Sequence, residues 1–186
     1  TTTVLGLCAR PVLRSGARPG DRLWLAGPVG LAAAGLRLLL SGHRLDGPDA
    51  PALQECVAAW RRPRARLAAG LAAAPLAASL IDISDGLAQD AGHLARASGV
   101  RLVLDADAIV ELSGSSLQVA AAALGADPGE LALAGGEDYA LLAASAHDLT
   151  AAGFAPVGRV EAGAAGVRVV RAGADWTPPA GFDHGG

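Results

Sequence analysis

Asp82-Ile83-Ser84-Asp85-Gly86 places two carboxylates and a hydroxyl within four residues. A strand ending here puts Asp82 and Ser84 on one side, and Asp85 then stands at the start of the helix that follows. Two acids beside a helix N-terminus suit a hard divalent cation such as magnesium. That ion takes a few carboxylates and fills its shell with water and phosphate oxygens, and the helix-start amides favour the same anions. The five residues also fit an ordinary helix start, with Ser84 or Asp85 as N-cap and Gly86 relaxing the turn; Asp82 is harder to explain in that way. A second stretch, Gly135-Gly136-Glu137-Asp138-Tyr139, sets two acids on a glycine-permitted loop just before a β-like run. There the backbone can approach a ligand closely and a carboxylate can accept from its amine, although a tight turn with solvated acids fits as well.

The elements needed to carry these residues are legible around them. Ser79–Ile83 reads as a strand and Gly86–Ser98 as a helix with Leu87, Ala91, Leu94 and Ala95 at core spacing and Gly99 as its stop. Upstream, Arg22–Ala26 reads as a short buried strand and Leu31–Leu40 as a packed helix. A second helix, capped by Asp49 with Pro51 in its first turn, runs to about Trp60, and an alanine-rich helix covers about Arg64–Ala73. Downstream, strands are expected at Arg101–Asp105, Tyr139–Ala143, Ala155–Val160 and Val167–Arg171, with a helix at Ser115–Leu124. Helices and strands interleave, with hairpins towards the end, which predicts a layered α+β domain built on a mixed sheet.

Composition bounds the function. At 186 residues and 52% apolar the chain can bury a core, with alanine, leucine and valine doing most of the packing because aromatics are 3%. A net charge of −3 with dispersed arginines argues against nucleic acid as a partner. Cys8 and Cys56 form no redox or zinc motif and fit a reducing cytoplasm. The longest Ala/Leu stretch, 67–81, is broken by Gly70 and Pro75 and is too short to span a bilayer. His43, His93, His147 and His184 lack ligand spacing and read as surface or structural residues. The absence of lysine excludes a Walker-A lysine, a protein-kinase-type lysine and a Schiff base carried by this chain. The absence of methionine suggests a chain processed or cut from something longer.

Taken together and in this order, Asp82-Ile83-Ser84-Asp85-Gly86-Leu87 and Gly135-Gly136-Glu137-Asp138-Tyr139 resemble the signatures of the thiamine-monophosphate kinase family. Further matches are Leu13-Arg14-Ser15-Gly16-Ala17 leading to Pro19-Gly20-Asp21, Arg62-Pro63 with Arg64 and Arg66, and Gly181-Phe182-Asp183-His184. The loop Pro28-Val29-Gly30 and the terminal Gly185-Gly186 depart from the family's usual residues.

The resemblance implies direct transfer of the ATP γ-phosphate to thiamine monophosphate, with magnesium as cofactor and no catalytic side chain assigned. It implies Asp82 and Asp85 as magnesium ligands, Arg14 and Ser84 on ATP, and Glu137 and Phe182 on thiamine monophosphate. It further implies a fold like the C-terminal domain of the aminoimidazole ribonucleotide synthetase superfamily. Residues 1–17 would then be the last strand of an N-terminal ATP-binding domain plus linker, and 18–186 the C-terminal domain. The full-length protein would be a cytoplasmic homodimer without membrane or nucleic-acid partners. Because the family's N-terminal domain carries more magnesium-binding acids, the chain alone is expected to be inactive. Alternatives are a selenophosphate synthetase-like, aminoimidazole ribonucleotide synthetase-like or hydrogenase-maturation member of the same superfamily, or a non-catalytic binding remnant.

Overall fold

The computed structural model describes residues 3, 5–8 and 10–177. Seven strands, β1 (Arg22–Ala26), β2 (Ser79–Ile83), β3 (Arg101–Asp105), β4 (Ala140–Ser145), β5 (Ala155–Glu161), β6 (Gly166–Arg171) and β7 (Ala174–Trp176), form one sheet in the order β2-β4-β1-β5-β3-β6-β7. Every neighbouring pair is antiparallel except β3 and β6, so the sheet is mixed. Among the described residues six α-helices accompany it: α1 (Leu31–Leu40), α2 (Ala50–Arg61), α3 (Leu67–Ala73), α4 (Leu87–Ser98), α5 (Ala106–Leu124) and α6 (Pro128–Ala134). The α+β fold expected from the sequence is the one observed. Only one of the late strand pairs is a hairpin, β6 with β7; β5 and β6 flank β3 on opposite sides.

Strand alternation divides the core in two. Leu23 and Leu25 of β1, Ile81 and Ile83 of β2, and Leu142 and Ala144 of β4 face the larger cluster, which Leu31, Leu38, Leu53, Leu87, Leu94, Leu117 and Leu131 fill from the helices. Each of the leucine and isoleucine side chains, when fully buried, stabilises by about 1.5–3 kcal/mol relative to exposure. Trp24, Ala26 and Ala143 point to the other face, where Ala73 of α3, Leu149 and Phe154 cover them in a smaller cluster. Asp82, the residue after Ile81, projects to this second side, at the exposed margin of the sheet.

Three differences from the sequence reading have local causes. α5 begins at Ala106, straight after β3, because the Asp105 carboxylate accepts from the Asp107 and Ala108 amides; the helix breaks at Gly114, and only its second half was expected. α6 is capped in the same way by Asp127, with Pro128 in its first turn. β7 is three residues long and returns from β6 through a turn at Ala172-Gly173. Among the described residues no single helix is long and apolar enough to cross a membrane.

Candidate functional site

Register brings the two acidic stretches together. Ala26 of β1, Leu141 of β4 and Asp82 of β2 stand in one row across the sheet. β1 and β2 run the same way on either side of antiparallel β4. The ends of β1 and β2 and the start of β4 therefore meet at one margin, and the loops 27–30, 84–86 and 135–139 gather there.

The loops are joined by backbone. The Glu137 amide donates to the Ser84 carbonyl at 2.7 Å and the Tyr139 amide donates to the Ile83 carbonyl at 2.9 Å. Glu137 and Tyr139 both adopt positive φ, 65° and 52°, in the left-handed region that non-glycine residues seldom occupy. Such strain persists only where the surroundings hold it, and it is concentrated in functional loops. The Tyr139 hydroxyl is pushed above its ordinary range by the Glu137 carboxylate, by burial, by a hydrogen bond to Glu137 and by the Asp82 charge. Asp82, Glu137 and Tyr139 thus share one electrostatic neighbourhood, with Ser84 and Asp85 beside it; the Ser84 hydroxyl donates to Asp85 at 3.3 Å.

Two further acids hold the loops in shape: Asp90, which was not singled out from the sequence, and Asp138, which was named there only as the second acid of its motif. Asp90, buried in the first turn of α4, accepts from the Ser84 and Asp85 amides at 2.9 and 3.0 Å, so it fixes the backbone that presents both residues. Burial raises its carboxyl above the usual range. The two amide bonds and His93 oppose that rise, and the neighbouring Asp85 charge adds to it. Asp138 reaches across to α1 and accepts from the Gly30 amide at 2.8 Å and the Ala32 amide at 3.4 Å. Burial pushes its carboxyl up to about 7, against the pull of those amides. The loop 135–139 therefore ties β2 on one side to the start of α1 on the other.

His93 lies one turn beyond Asp90, and one donor atom from each of Asp85, Asp90 and His93 falls within 4.8 Å of the other two. The Asp90 carboxylate is engaged by backbone, and His93 Nδ1 stands 3.1 Å from the Arg96 guanidinium. The pairing of His93 with these acids depends on the turn before α4, which residue spacing alone does not give.

Of the residues expected at a site, Asp82, Ser84, Asp85 and Glu137 come together. Arg14 is placed by its neighbours: the Leu13 carbonyl accepts from the Leu80 amide at 3.0 Å, and the Arg14 carbonyl accepts from the Ser98 hydroxyl at 3.2 Å. Its segment thus runs beside the free edge of β2, and its side chain is exposed. Phe182 lies outside the described residues.

Residues 18–171 match the family described as AIR synthase related protein, C-terminal domain. The thiamine-monophosphate kinase of Mycobacterium tuberculosis (strain CDC 1551 / Oshkosh) is 40% identical over 180 residues, covering 95% of this chain and 50% of that protein. That of Pyrococcus abyssi is 33% identical over 162 residues, covering 86% of this chain and 48% of that protein. The chain spans about half the length of the curated relatives it matches. Among solved structures, AaThiL complexed with AMPPCP and TMP superposes with a TM-score of 0.78 at 35% identity, covering 94% of this chain and 54% of that one. The hydrogenase maturation protein HypE shares the fold, with a TM-score of 0.64 at 19% identity over 97% of this chain and 58% of its own.

Proposed function

This chain belongs to the AIR synthase related protein family through its C-terminal domain, and on that footing we propose that it is the C-terminal part of a thiamine-monophosphate kinase. The reaction is transfer of the ATP γ-phosphate to thiamine monophosphate, giving thiamine diphosphate and ADP. The observation that carries the reading is the direct stitching of the loop holding Glu137 to the turn holding Ser84 and Asp85, which brings both family signatures into one site. Identity of 40% to a named thiamine-monophosphate kinase supports it over the other members of the superfamily.

In this reading Asp82 and Asp85 hold magnesium, Ser84 and Arg14 contact the nucleotide, and Glu137 and Phe182 seat thiamine monophosphate. The donor set fits the ion: carboxylate and hydroxyl oxygens at an open sheet margin suit a hard cation that keeps part of its water shell. When bound, magnesium would neutralise the charge of the phosphates. The chain's own contribution is positional. Asp90 orients Ser84 and Asp85, and the Glu137 backbone keeps the acceptor-side loop at a fixed distance from them. Residues 1–17 act as a lead-in and linker to the domain at 18–186, and the working protein is a homodimer.

The test is magnesium-dependent binding of thiamine monophosphate and AMPPCP to this chain and to the chain extended to the length of its relatives, with thiamine diphosphate formation measured in both. Turnover in the extended form, lost on Asp82→Asn or Asp85→Asn, is the expected result. Normal rates in those variants would sink the proposal.

A further inference from the structure

Beside the acidic margin lies a cavity of about 640 Å³, lined by Arg62, Arg64 and Arg66 together with Pro28, Leu31 and Ala59. Its volume is that of a small-molecule site. Among the described residues none of the three arginines makes an ion pair or a side-chain hydrogen bond. Two acids also border the cavity, and both are committed elsewhere. The Glu55 carboxylate accepts from the Ser116 hydroxyl, and Asp138 accepts from the Gly30 and Ala32 amides. Three permanent positive charges thus converge on one concavity, unpaired with the two acids on its lining and outnumbering them.

Arg66 is held there by the backbone. Its Nε is buried without a partner, an arrangement that costs free energy unless something supplies an acceptor. Its guanidinium packs against Gly27, at the turn between β1 and α1. A Cβ at Gly27 would stand 2.6 Å from the Arg66 Nε, and φ there is 98°, so glycine is what admits the arginine. The α3 helix that follows Arg66 lies over β4, where a Cβ on Gly70 would come within 3.2 Å of the Leu141 side chain. Leu141 is the direct neighbour of Asp82 in the sheet. The arginine cavity and the acidic margin are therefore adjoining parts of one surface, of opposite charge.

We propose that Arg62, Arg64 and Arg66 form a phosphate-binding subsite, which takes a phosphate group of a ligand whose remainder reaches the acidic margin. Guanidinium forks pair with phosphate oxygens in two parallel hydrogen bonds, and a turn of the Arg66 side chain away from Gly27 would give its buried Nε the acceptor it lacks. That the phosphate belongs to thiamine monophosphate or to ATP rests on the function proposed above; that it is phosphate rests on the cavity alone.

Binding of inorganic pyrophosphate without magnesium, followed by calorimetry on this chain, tests the subsite. The expected result is salt-sensitive binding that weakens about tenfold or more in Arg66→Ala and in Arg62→Ala/Arg64→Ala, whose altered side chains are exposed and leave the core intact. Arg44→Ala, whose exposed side chain pairs with Asp46 outside the cavity, should bind as the unaltered chain does. Competition by thiamine monophosphate and by AMPPCP then distinguishes which ligand brings the phosphate. Pyrophosphate binding that neither compound displaces, here or in the chain extended to the length of its relatives, would keep the subsite and remove the kinase reading. Equal binding by the Arg62→Ala/Arg64→Ala chain, or none by the unaltered chain, would overturn the subsite whatever the kinase assays give.

Discussion

The amide of Glu137 donates to the carbonyl of Ser84 at 2.7 Å. This one bond joins two loops 53 residues apart, and it requires that nothing stand between them. Gly136 meets that requirement, since a Cβ there would lie 2.5 Å from the same Ser84 carbonyl.

Gly136→Ala should consequently force the loops apart. A loss of about 1–3 kcal/mol, the usual cost of overpacking, should appear as a lower midpoint in urea denaturation, together with weaker magnesium-dependent ligand binding. An unchanged midpoint would show that the loop has room to yield.

Asp90→Ala leaves the Ser84 and Asp85 amides without their acceptor. Unpaired buried groups cost about 1–3 kcal/mol each, less wherever water reaches them. Asp90→Asn, which keeps an acceptor oxygen, should recover much of the loss. Equal destabilisation by both variants would mean that charge, not the acceptor, matters.

The Asp138 carboxyl stands at about 7 in the folded chain, against an ordinary value of 3.8. The folded state therefore holds this proton more tightly than the unfolded state does. Its contribution is most favourable below about pH 4, and it declines as pH rises towards 7, by a total on the order of 4 kcal/mol. Asp138→Asn should flatten that slope in urea titrations across the interval; a slope unaltered by the substitution would assign it to other groups.

Cys8 is exposed, whereas Cys56 is buried, with its thiol raised to about 11 by burial and by the nearby Glu55 charge. A thiol reagent at neutral pH should modify one cysteine in the folded chain and both in denaturant. Rapid modification of two in the native state would contradict the packing of α2 against α5.

Most of the frame was legible because its signals are local. β2 and β3 match their expected limits to the residue, each being a short apolar alternation bounded by turn residues. The first half of α5 was not read because β3 leads into it without a break in composition, although Asp105 followed by Asp107 was an available cap signal. At the site, Asp82, Ser84, Asp85 and Glu137 were found as motif residues. Asp90 was passed over, and Asp138 was named only as a motif acid without its tie to α1, because their work is to hold backbone, which leaves no periodic trace. The same holds for Arg66, whose confinement depends on Gly27, 39 positions earlier.

The placement of β1 also governs how the chain comes to be folded. The first strand in sequence is hydrogen-bonded on one side to β4 and on the other to β5, so its partners lie at residues 140–161. During synthesis β1 leaves the ribosome more than a hundred residues before either neighbour. The helices can form locally in that interval, but the middle of the sheet cannot close. The margin that gathers Asp82, Asp85 and Glu137 thus cannot take shape before β4 has emerged, and until then Leu23, Trp24 and Leu25 lack the strands that flank them.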